Sequence, residues 1–257
     1  MPEPDHYFSA TPAGPASRRT VSVQLAGRAV EVRTSGGVFS PGRLDPGTAV
    51  LLREVPDPPR HGALLDLGCG WGPIALTLAM ASPEADVYAV DVNERARDLT
   101  RDNAESLGLQ RISVMAPEQV PPNLRFAAIR SNPPIRVGKP ALHALLRTWL
   151  PRLEPDGTAY LVVAKNLGAD SLARWIDEEV AMPCRRLATS RGYRVLAVYQ
   201  RDARADLVDI ATRGRTAVLA GGSGLYVRAV LDRFDIPPTD PALRQRLEAD
   251  LLATGKA

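Results

Sequence analysis

The sequence is poor in the residues that build metal sites and disulfide frameworks. It has two cysteines and three histidines among 257 residues. Cys69 and Cys184 do not have the spacing of paired metal ligands. We therefore expect no bound metal and no disulfide bond, as is usual for a protein of a reducing compartment.

Long apolar segments are also missing. No apolar run approaches the roughly 18 residues that a membrane span needs. The first residues, MPEPDHYFSATPAGP, lack the basic-then-apolar pattern of a signal peptide. We expect a cytoplasmic protein without a membrane partner. The 32 basic and 29 acidic residues nearly balance, so the charge permits a nucleic-acid partner without requiring one, and the oligomeric state is left open.

The chain divides into three parts. Residues 1–62 are an N-terminal extension, in which TVSVQL and RAVEVRT flank Ala26-Gly27 and predict a β-hairpin. Residues 63–201 alternate strand-like and helix-like segments, which is typical of a parallel, doubly wound sheet. The composition changes after Gln200, so 202–257 is predicted to be a separate, short α/β appendage.

The central part contains six strand-like and four helix-like segments. The strands are predicted at 63–67, 86–91, 111–115, 126–132, 158–165 and 193–201, and the helices at 73–81, 94–107, 140–150 and 169–180. The stretch between Val180 and Tyr193 is too short for another long helix. We therefore expect a hairpin there, which makes the last strand antiparallel.

A glycine-rich loop, DLGCGWG at 66–72, joins the first predicted strand to the first helix. Its glycines allow a tight turn and a close approach of backbone N–H groups to a ligand. Asp91 ends the second strand, 19 positions after Gly72, where a carboxylate can bind the hydroxyls of a ribose. The alternative role for Asp91 is capping the next helix.

Two nucleotide classes are excluded by what surrounds this loop. A dinucleotide fold needs its third glycine one position later, where the sequence has Pro73. The sequence also lacks the G-x-x-x-x-G-K-[ST] loop that binds triphosphates. Neither a nicotinamide cofactor nor a nucleoside triphosphate is expected.

A second motif, SNPP at 131–134, ends the fourth strand. Proline has no backbone donor and a fixed φ, so Pro133 and Pro134 cannot continue a central strand. Asn132 is expected to be held in extended geometry, with its amide and the carbonyl of Pro133 pointing out of the strand end. The alternative is an ordinary Asn-Pro turn.

Together these motifs resemble the class I S-adenosylmethionine-dependent methyltransferases. More narrowly, residues 6–201, about three quarters of the chain, resemble the guanine-N2 methyltransferases of small-subunit ribosomal RNA. The shared marks are HYFS (6–9), GVFS followed by RLDPGT (37–48), DLGCGWG, SNPPIRVGK and KNLGADSL (165–172). The resemblance implies a Rossmann-like, mostly parallel, seven-stranded sheet, S-adenosylmethionine as cofactor, and ribosomal RNA or the small ribosomal subunit as partner.

The resemblance also implies roles for individual residues. Asp66 and the glycine loop would hold the methionine part of the cofactor, Asp91 would hold its ribose, and Asn132 with the Pro133 carbonyl would accept hydrogen bonds from an exocyclic amine. The implied cofactor-binding set is Asp66, Gly68, Cys69, Gly70, Gly72, Asp91, Val92 and Ala116, and the implied catalytic set is Asn132, Pro133, Pro134 and Ile135.

The surroundings of these motifs supply candidate substrate contacts. Arg136 and Lys139 could hold phosphates of the RNA, or they could simply solubilise the surface, and Phe39 could cover the pocket or belong to the core. The sequence departs from the family at Ile135, where an aromatic residue usually stacks on the base, and it has Ala116 and Ala127 where acidic residues are common. A non-catalytic binding module of the same fold is therefore an alternative.

The last part of the chain resembles a different family. Residues 213–251, and above all GGSGLYVRAVLD, are similar to an internal piece of tRNA dimethylallyltransferase. That enzyme needs a phosphate-binding loop for its diphosphate substrate, and this sequence has none. We therefore expect no prenyl transfer through this segment.

Overall fold

The computed structural model describes residues 18–200 apart from positions 39 and 41. Phe39, the HYFS stretch and the appendage predicted at 202–257 lie outside the described residues, as does the side chain of Arg136.

The N-terminal extension contains the predicted hairpin. Strands β1 (Arg18–Leu25) and β2 (Arg28–Ser35) pair antiparallel, with Leu25 opposite Arg28. Both residues of the connecting turn, Ala26 and Gly27, have positive φ, which is the geometry that matches the twist of a two-residue hairpin.

The central part is a seven-stranded sheet. Its strands are β3 (Ala63–Leu67), β4 (Asp86–Val90), β5 (Ile112–Met115), β6 (Phe126–Ser131), β7 (Leu153–Ala164), β8 (Cys184–Ser190) and β9 (Tyr193–Tyr199). The order across the sheet is β5-β4-β3-β6-β7-β9-β8. Strands β3 to β7 run parallel, while β9 is antiparallel to both β7 and β8. The predicted Rossmann-like fold and the antiparallel last strand are confirmed.

Helices cover both faces of the sheet. They are α1 (Pro46–Glu54), α2 (Pro73–Ala81), α3 (Glu94–Ser106), α4 (Lys139–Trp149) and α5 (Ala169–Glu179). One buried cluster holds Leu146 and Ile176 from α4 and α5 against Phe126 and Leu161 of the sheet. A second holds Leu51 and Leu78 from α1 and α2 against the opposite face. These four helices bury apolar residues against the sheet, as layered α/β folds require, whereas α3 buries Leu99 in a third cluster with Leu25 and Val32 of the hairpin.

The strand order places the candidate site. From β3 the chain proceeds outward through β4 and β5, and then returns to β6 on the other side of β3. In open α/β sheets, ligands bind outside the carboxyl ends of the strands where the order reverses. Here that crevice lies between the loops that follow β3 and β6, which are the two motifs found in the sequence.

Strand β7 is longer than the sequence predicted, because it begins at Leu153 and not at Thr158. Pro155, Asp156 and Gly157 suggest a turn, but they form an irregular strand segment whose pairing with β6 shifts register between Phe126 and Ala128. A Cβ at Gly157 would lie 2.9 Å from the Phe126 carbonyl oxygen and 3.0 Å from that of Glu154. The glycine therefore permits this close backbone approach.

Gly157→Ala should lower the free energy of unfolding by about 1–3 kcal/mol, because the added methyl meets backbone atoms that cannot move aside. Gly36→Ala is the matched control, since a Cβ there meets nothing within 4 Å, and it should leave stability within about 1 kcal/mol of the original. Urea unfolding followed by circular dichroism measures both values. Equal stabilities for the two variants would contradict the close approach at Gly157.

Candidate active site

A pocket of about 480 Å³ opens at the carboxyl ends of the parallel strands. Residues from the loops after β3, β4, β6 and β7 line it, among them Gly68, Gly70, Asp91, Val92, Asn132, Pro133, Pro134, Ile135, Asn166 and Leu167. The two sequence motifs therefore meet in one cavity of a size suited to a small-molecule ligand.

The glycine loop uses its amides within the protein. Gly68 and Cys69 both donate to the Val90 carbonyl, at 2.8 and 3.1 Å. Gly70 donates to Asp91 Oδ2 at 3.0 Å, and Gly72 donates to the Cys69 carbonyl at 2.9 Å. The expectation that these N–H groups approach a ligand is corrected, because each already has a protein acceptor. These four amides are therefore not available as the free donors of a phosphate-binding nest.

Gly68 instead provides space. Its φ is +81°, a conformation that side chains rarely adopt. A Cβ built there would meet no protein atom within 4 Å, because Gly68 lines the pocket. A side chain at this position would therefore strain the loop and occupy the neighbouring space.

Asp66 lies behind this loop and is fully buried. Its Oδ2 accepts a hydrogen bond from the Ala75 N–H at 2.9 Å, and its Oδ1 is buried without a protein partner. Burial raises the pKa of Asp66 to about 8 against the opposing effect of the Ala75 hydrogen bond, and the nearby Asp91 charge adds to the rise. The Asp66 side chain does not line the pocket, so its predicted contact with the cofactor stays a prediction.

Asp91 does line the pocket. Its two carboxylate oxygens accept from the Gly70 and Asn93 N–H groups, at 3.0 and 2.9 Å. Burial raises its pKa, and those hydrogen bonds together with Arg97 oppose the rise. The helix α3 is capped by Asn93, whose side chain accepts from the Ala96 N–H. The alternative capping role for Asp91 is therefore wrong.

Three other predicted cofactor residues do not line this pocket. Cys69 is 2% exposed, and its sulfur accepts a hydrogen bond from the Thr100 hydroxyl. Gly72 packs against Thr100, so a Cβ there would lie 3.0 Å from Thr100 Cγ2. Ala116 donates its N–H to Gln119 Oε1 at 2.8 Å, and Pro117 lines the pocket in its place. Their predicted contacts with the cofactor stay predictions.

The side chain of Asn132 is fixed by residues of the N-terminal extension. Its Nδ2 donates to Asp45 Oδ2 at 2.8 Å and to Thr48 Oγ1 at 3.0 Å. Both amide hydrogens therefore have acceptors, which leaves Oδ1 as the acceptor that Asn132 can offer to a ligand. Because Asp45 and Asn132 both line the pocket, this pair belongs to the candidate site.

Asp45 is a site residue that the sequence analysis missed. Its Oδ2 also accepts from the Thr48 N–H at 2.9 Å and so caps helix α1. The RLDPGT motif contains the signal that could have found it, because Asp followed by Pro is a typical helix start.

The two prolines form a tight turn. Pro134 has φ −75° and ψ 74°, and the Ile135 N–H donates to the Pro133 carbonyl at 2.8 Å, which is an inverse γ-turn. The sequence suggested a free Pro133 carbonyl, but this carbonyl already accepts one hydrogen bond. It keeps one lone pair for a ligand. Ile135 lines the pocket and is half-buried, whereas Lys139 is exposed at the start of α4.

The far wall of the pocket was also missed. Asn166 and Leu167 come from the turn after β7, and Tyr193 is the first residue of β9. Tyr193 pairs with Ala164, the last residue of β7, because β9 runs antiparallel. The predicted direction of the last strand already implied that Tyr193 starts at this edge of the sheet.

The described residues include neither a metal-binding group nor a membrane-spanning helix. Within 18–200 there is no group of three or more His, Cys, Asp or Glu side chains placed to hold a metal ion. In the same part of the chain, no helix is long and apolar enough to cross a membrane.

The raised pKa of Asp66 predicts a pH-dependent stability. The pKa is 3.8 in the unfolded chain and about 8 in the folded protein, so between these values the folded protein binds an extra proton. The stabilisation is complete below pH 3.8 and is lost as the pH rises through 8, at no more than about 1.4 kcal/mol per pH unit.

Asp66→Asn keeps an acceptor for Ala75 and removes this titration. Urea unfolding at several pH values should show a smaller loss of stability toward pH 8 in the variant than in the original protein. Identical pH profiles would contradict the buried, protonated carboxyl group.

Comparison with known proteins agrees with this geometry. Residues 29–197 match the methyltransferase small domain family. The protein YbxB of Bacillus subtilis is 33% identical over 177 residues, which are 68% of this chain and 88% of that protein. The ribosomal RNA small subunit methyltransferase C of Ectopseudomonas mendocina is 35% identical and covers 72% of this chain and 56% of its own length.

A solved structure shows the same fold. The Thermus thermophilus 16S rRNA N2 G1207 methyltransferase, in complex with AdoMet and guanosine, superposes with a TM-score of 0.62 at 25% identity. The match covers 74% of this chain and 52% of that one. The chain thus spans about half the length of the ribosomal RNA methyltransferases that it matches.

The C-terminal resemblance is confirmed by a second match. Residues 188–257 match the IPP transferase family. The tRNA dimethylallyltransferase of Salinispora tropica is 63% identical over 62 residues, which are 24% of this chain and 19% of that protein. Only about a fifth of such an enzyme is therefore represented.

The matched span of 169 residues includes both motif loops and the central sheet except for the last two residues of β9. The motifs, the strand order and the relatives lead to one conclusion: this chain belongs to the methyltransferase small domain family.

Proposed function

We propose that this protein uses S-adenosylmethionine to methylate an exocyclic amine, and that the amine is guanine N2 of ribosomal RNA. The observation that carries the proposal is the amide of Asn132, whose two hydrogens are held by Asp45 and Thr48 so that its oxygen is presented as an acceptor beside the glycine loop. The ribosomal substrate is supported by the relatives named above.

The pocket has the chemistry that this cofactor needs. S-adenosylmethionine, when bound, supplies an electrophilic methyl group on a positively charged sulfur. The amides of Gly68, Cys69, Gly70 and Gly72 are bonded within the protein, and Gly68 leaves room beside the loop. The carboxylate of Asp91 keeps lone pairs that can accept from ribose hydroxyls, and Val92, 47% exposed, offers an apolar surface to the adenine.

The residues at the end of β6 would activate the amine. The lone pair of guanine N2 is delocalised into the aromatic ring, so the amine is a weak nucleophile. Asn132 Oδ1 and the remaining lone pair of the Pro133 carbonyl accept its two hydrogens and hold the nitrogen in an orientation that frees the lone pair. Since both acceptors are fixed before the substrate arrives, catalysis rests on positioning and on oriented dipoles.

The base itself needs a flat contact. Ile135 gives an apolar surface at one side of the pocket, and Leu167 and Tyr193 line the other. A guanine within structured RNA must be unstacked before its edge enters such a site. The proposed substrate is therefore an exposed or flipped guanosine of ribosomal RNA.

Asn132→Ala should lower the rate of methyl transfer to ribosomal RNA by about 100-fold or more, as loss of one fixed polar group at a reaction centre usually does. Its dissociation constant for S-adenosylmethionine should change little, because Asn132 is proposed to contact the amine. Asn123→Ala, an exposed Asn that also neighbours two prolines, is the control. Radiolabelled methyl incorporation and calorimetry measure the two quantities.

Three outcomes decide this proposal. Labelled methyl groups found on a guanine N2 of the RNA, and lost in Asn132→Ala, support it. Undiminished transfer by the variant contradicts the role of Asn132. Tight cofactor binding without transfer to any RNA would favour a non-catalytic binding module.

Asp45 is predicted to act through Asn132 as a positioning residue. Asp45→Ala should lower kcat by about 10- to 100-fold with little change in cofactor affinity, because a misplaced group costs rate more than binding. Asp45→Asn keeps an oxygen acceptor and should retain most of the rate. If Asp45→Ala and Asp45→Asn have equal rates and both match the original protein, Asp45 does not orient Asn132.

A further inference from the structure

A second cavity lies along helix α1, whose N-cap residue Asp45 lines the reaction pocket. It has a volume of about 790 Å³ and is bounded by the hairpin tip, the C-terminal half of α1, the linker at 56–60 and the end of α2. Four arginines line it: Arg28 of the hairpin, Arg53 of α1, Arg60 of the linker and Arg130 of β6. We refer to this cavity as the arginine groove.

Arg130 has an unusual environment for a charged residue. It is 3% exposed, and its Nη2 donates to the Pro56 carbonyl at 2.6 Å while its Nε is buried without a partner. Burial lowers the pKa of Arg130 to about 10, so the group is still cationic at neutral pH. Among the described residues no carboxylate forms an ion pair with it.

The rim of the groove adds positive charge. Arg53 is held by Glu54 and by the hydroxyl of Ser190. Arg28 and Arg60 are exposed and make no ion pair with the described residues. The acidic side chain that lines the groove is Asp57. The charge of Asp57 also acts on Arg130, and Arg53 is paired with Glu54. Arg28 and Arg60 are left without an ion-pair partner among the described residues, so the rim of the groove can attract an anion.

We propose that the arginine groove binds a phosphate group of the RNA substrate, so that the backbone beside the target nucleotide is held while the base reaches Asn132. The proposal rests on the proposed RNA methyltransferase function. Guanidinium groups suit phosphates because their planar N–H donors can bind two phosphate oxygens at once.

The position of the groove fits this role. Leu44 lines the groove and its neighbour Asp45 lines the reaction pocket, and α1 continues from there to Arg53. A nine-residue helix is about 13 Å long, so the two sites are separated by roughly one short helix. An RNA strand can contact both sites at once over this distance.

The test removes the two rim arginines that have no partner. For the Arg28→Ala/Arg60→Ala double variant, the affinity for a single-stranded ribosomal RNA fragment is measured by fluorescence anisotropy at increasing potassium chloride. Each lost phosphate contact should reduce the slope of log affinity against log salt by about 0.7. Because the groove is proposed to hold one phosphate, the double variant should lose about 0.7 from the slope and bind more weakly at low salt.

The control removes the same charge elsewhere. Arg125→Ala/Arg174→Ala changes two exposed arginines that do not line the groove, and its slope should stay close to that of the original protein. Calorimetry with S-adenosylmethionine should give the same affinity for all three proteins, which shows that folding and the reaction pocket are intact.

The outcomes separate this inference from the proposed function. Unchanged slope in the Arg28/Arg60 variant, or an equal loss in the control, overturns the groove as an RNA site even if the original protein methylates ribosomal RNA. Stabilisation by inorganic phosphate over chloride at equal ionic strength, without a change in RNA slope, would assign the groove to a small free anion and also overturn the proposal. Failure of the original protein to methylate any RNA bears on the proposed function alone.

Discussion

The site depends on the hydrogen bonds that join Asn132 to the N-terminal extension. The amide lies at the end of β6, while its two acceptors, Asp45 and Thr48, lie at the start of α1. These bonds do two things, because they attach the extension to the central sheet and they decide which atom of the amide faces the pocket. The inverse γ-turn at Pro134 stiffens the same strand end. Because proline has a fixed φ, the backbone that follows Asn132 has little conformational freedom.

The electrostatics of the pocket point to a cationic ligand. The amides of Gly68, Cys69, Gly70 and Gly72 are bonded to Val90, Asp91 and Cys69, so these four are not presented to an anion. Asp91 lines the pocket, and burial raises its pKa, which means that its carboxylate is held away from water and gains from a positive charge nearby. A nucleoside carrying a sulfonium is compatible with such a pocket. The arginine groove has the opposite character: the reaction pocket is proposed to hold the cofactor and the target base, and the groove a phosphate of the same RNA.

Much of this arrangement could be predicted from the sequence. The alternation of strands and helices predicted the sheet, and the short interval before Tyr193 predicted the antiparallel last strand. DLGCGWG and SNPP were placed at the right strand ends, because proline and glycine act on the backbone locally. Contacts between distant segments were not predictable in the same way. Nothing local to Asp45 indicates that it meets Asn132, 87 positions later, and nothing local to Cys69 and Ala116 indicates that neither lines the pocket. The start of β7 was predicted too late in the chain, because Pro155, Asp156 and Gly157 are typical of a turn although they lie in a strand segment with a register shift.

The most direct test of the account is the hydrogen exchange of the Asn132 side-chain amide, observed by NMR in ¹⁵N-labelled protein and assigned as the signal pair that Asn132→Asp lacks. Both amide protons of Asn132 should exchange slowly with water, because one is hydrogen-bonded to Asp45 and the other to Thr48. Fast exchange, like that of an amide in solvent, would contradict it, since the oxygen of Asn132 would then have no fixed direction toward the pocket.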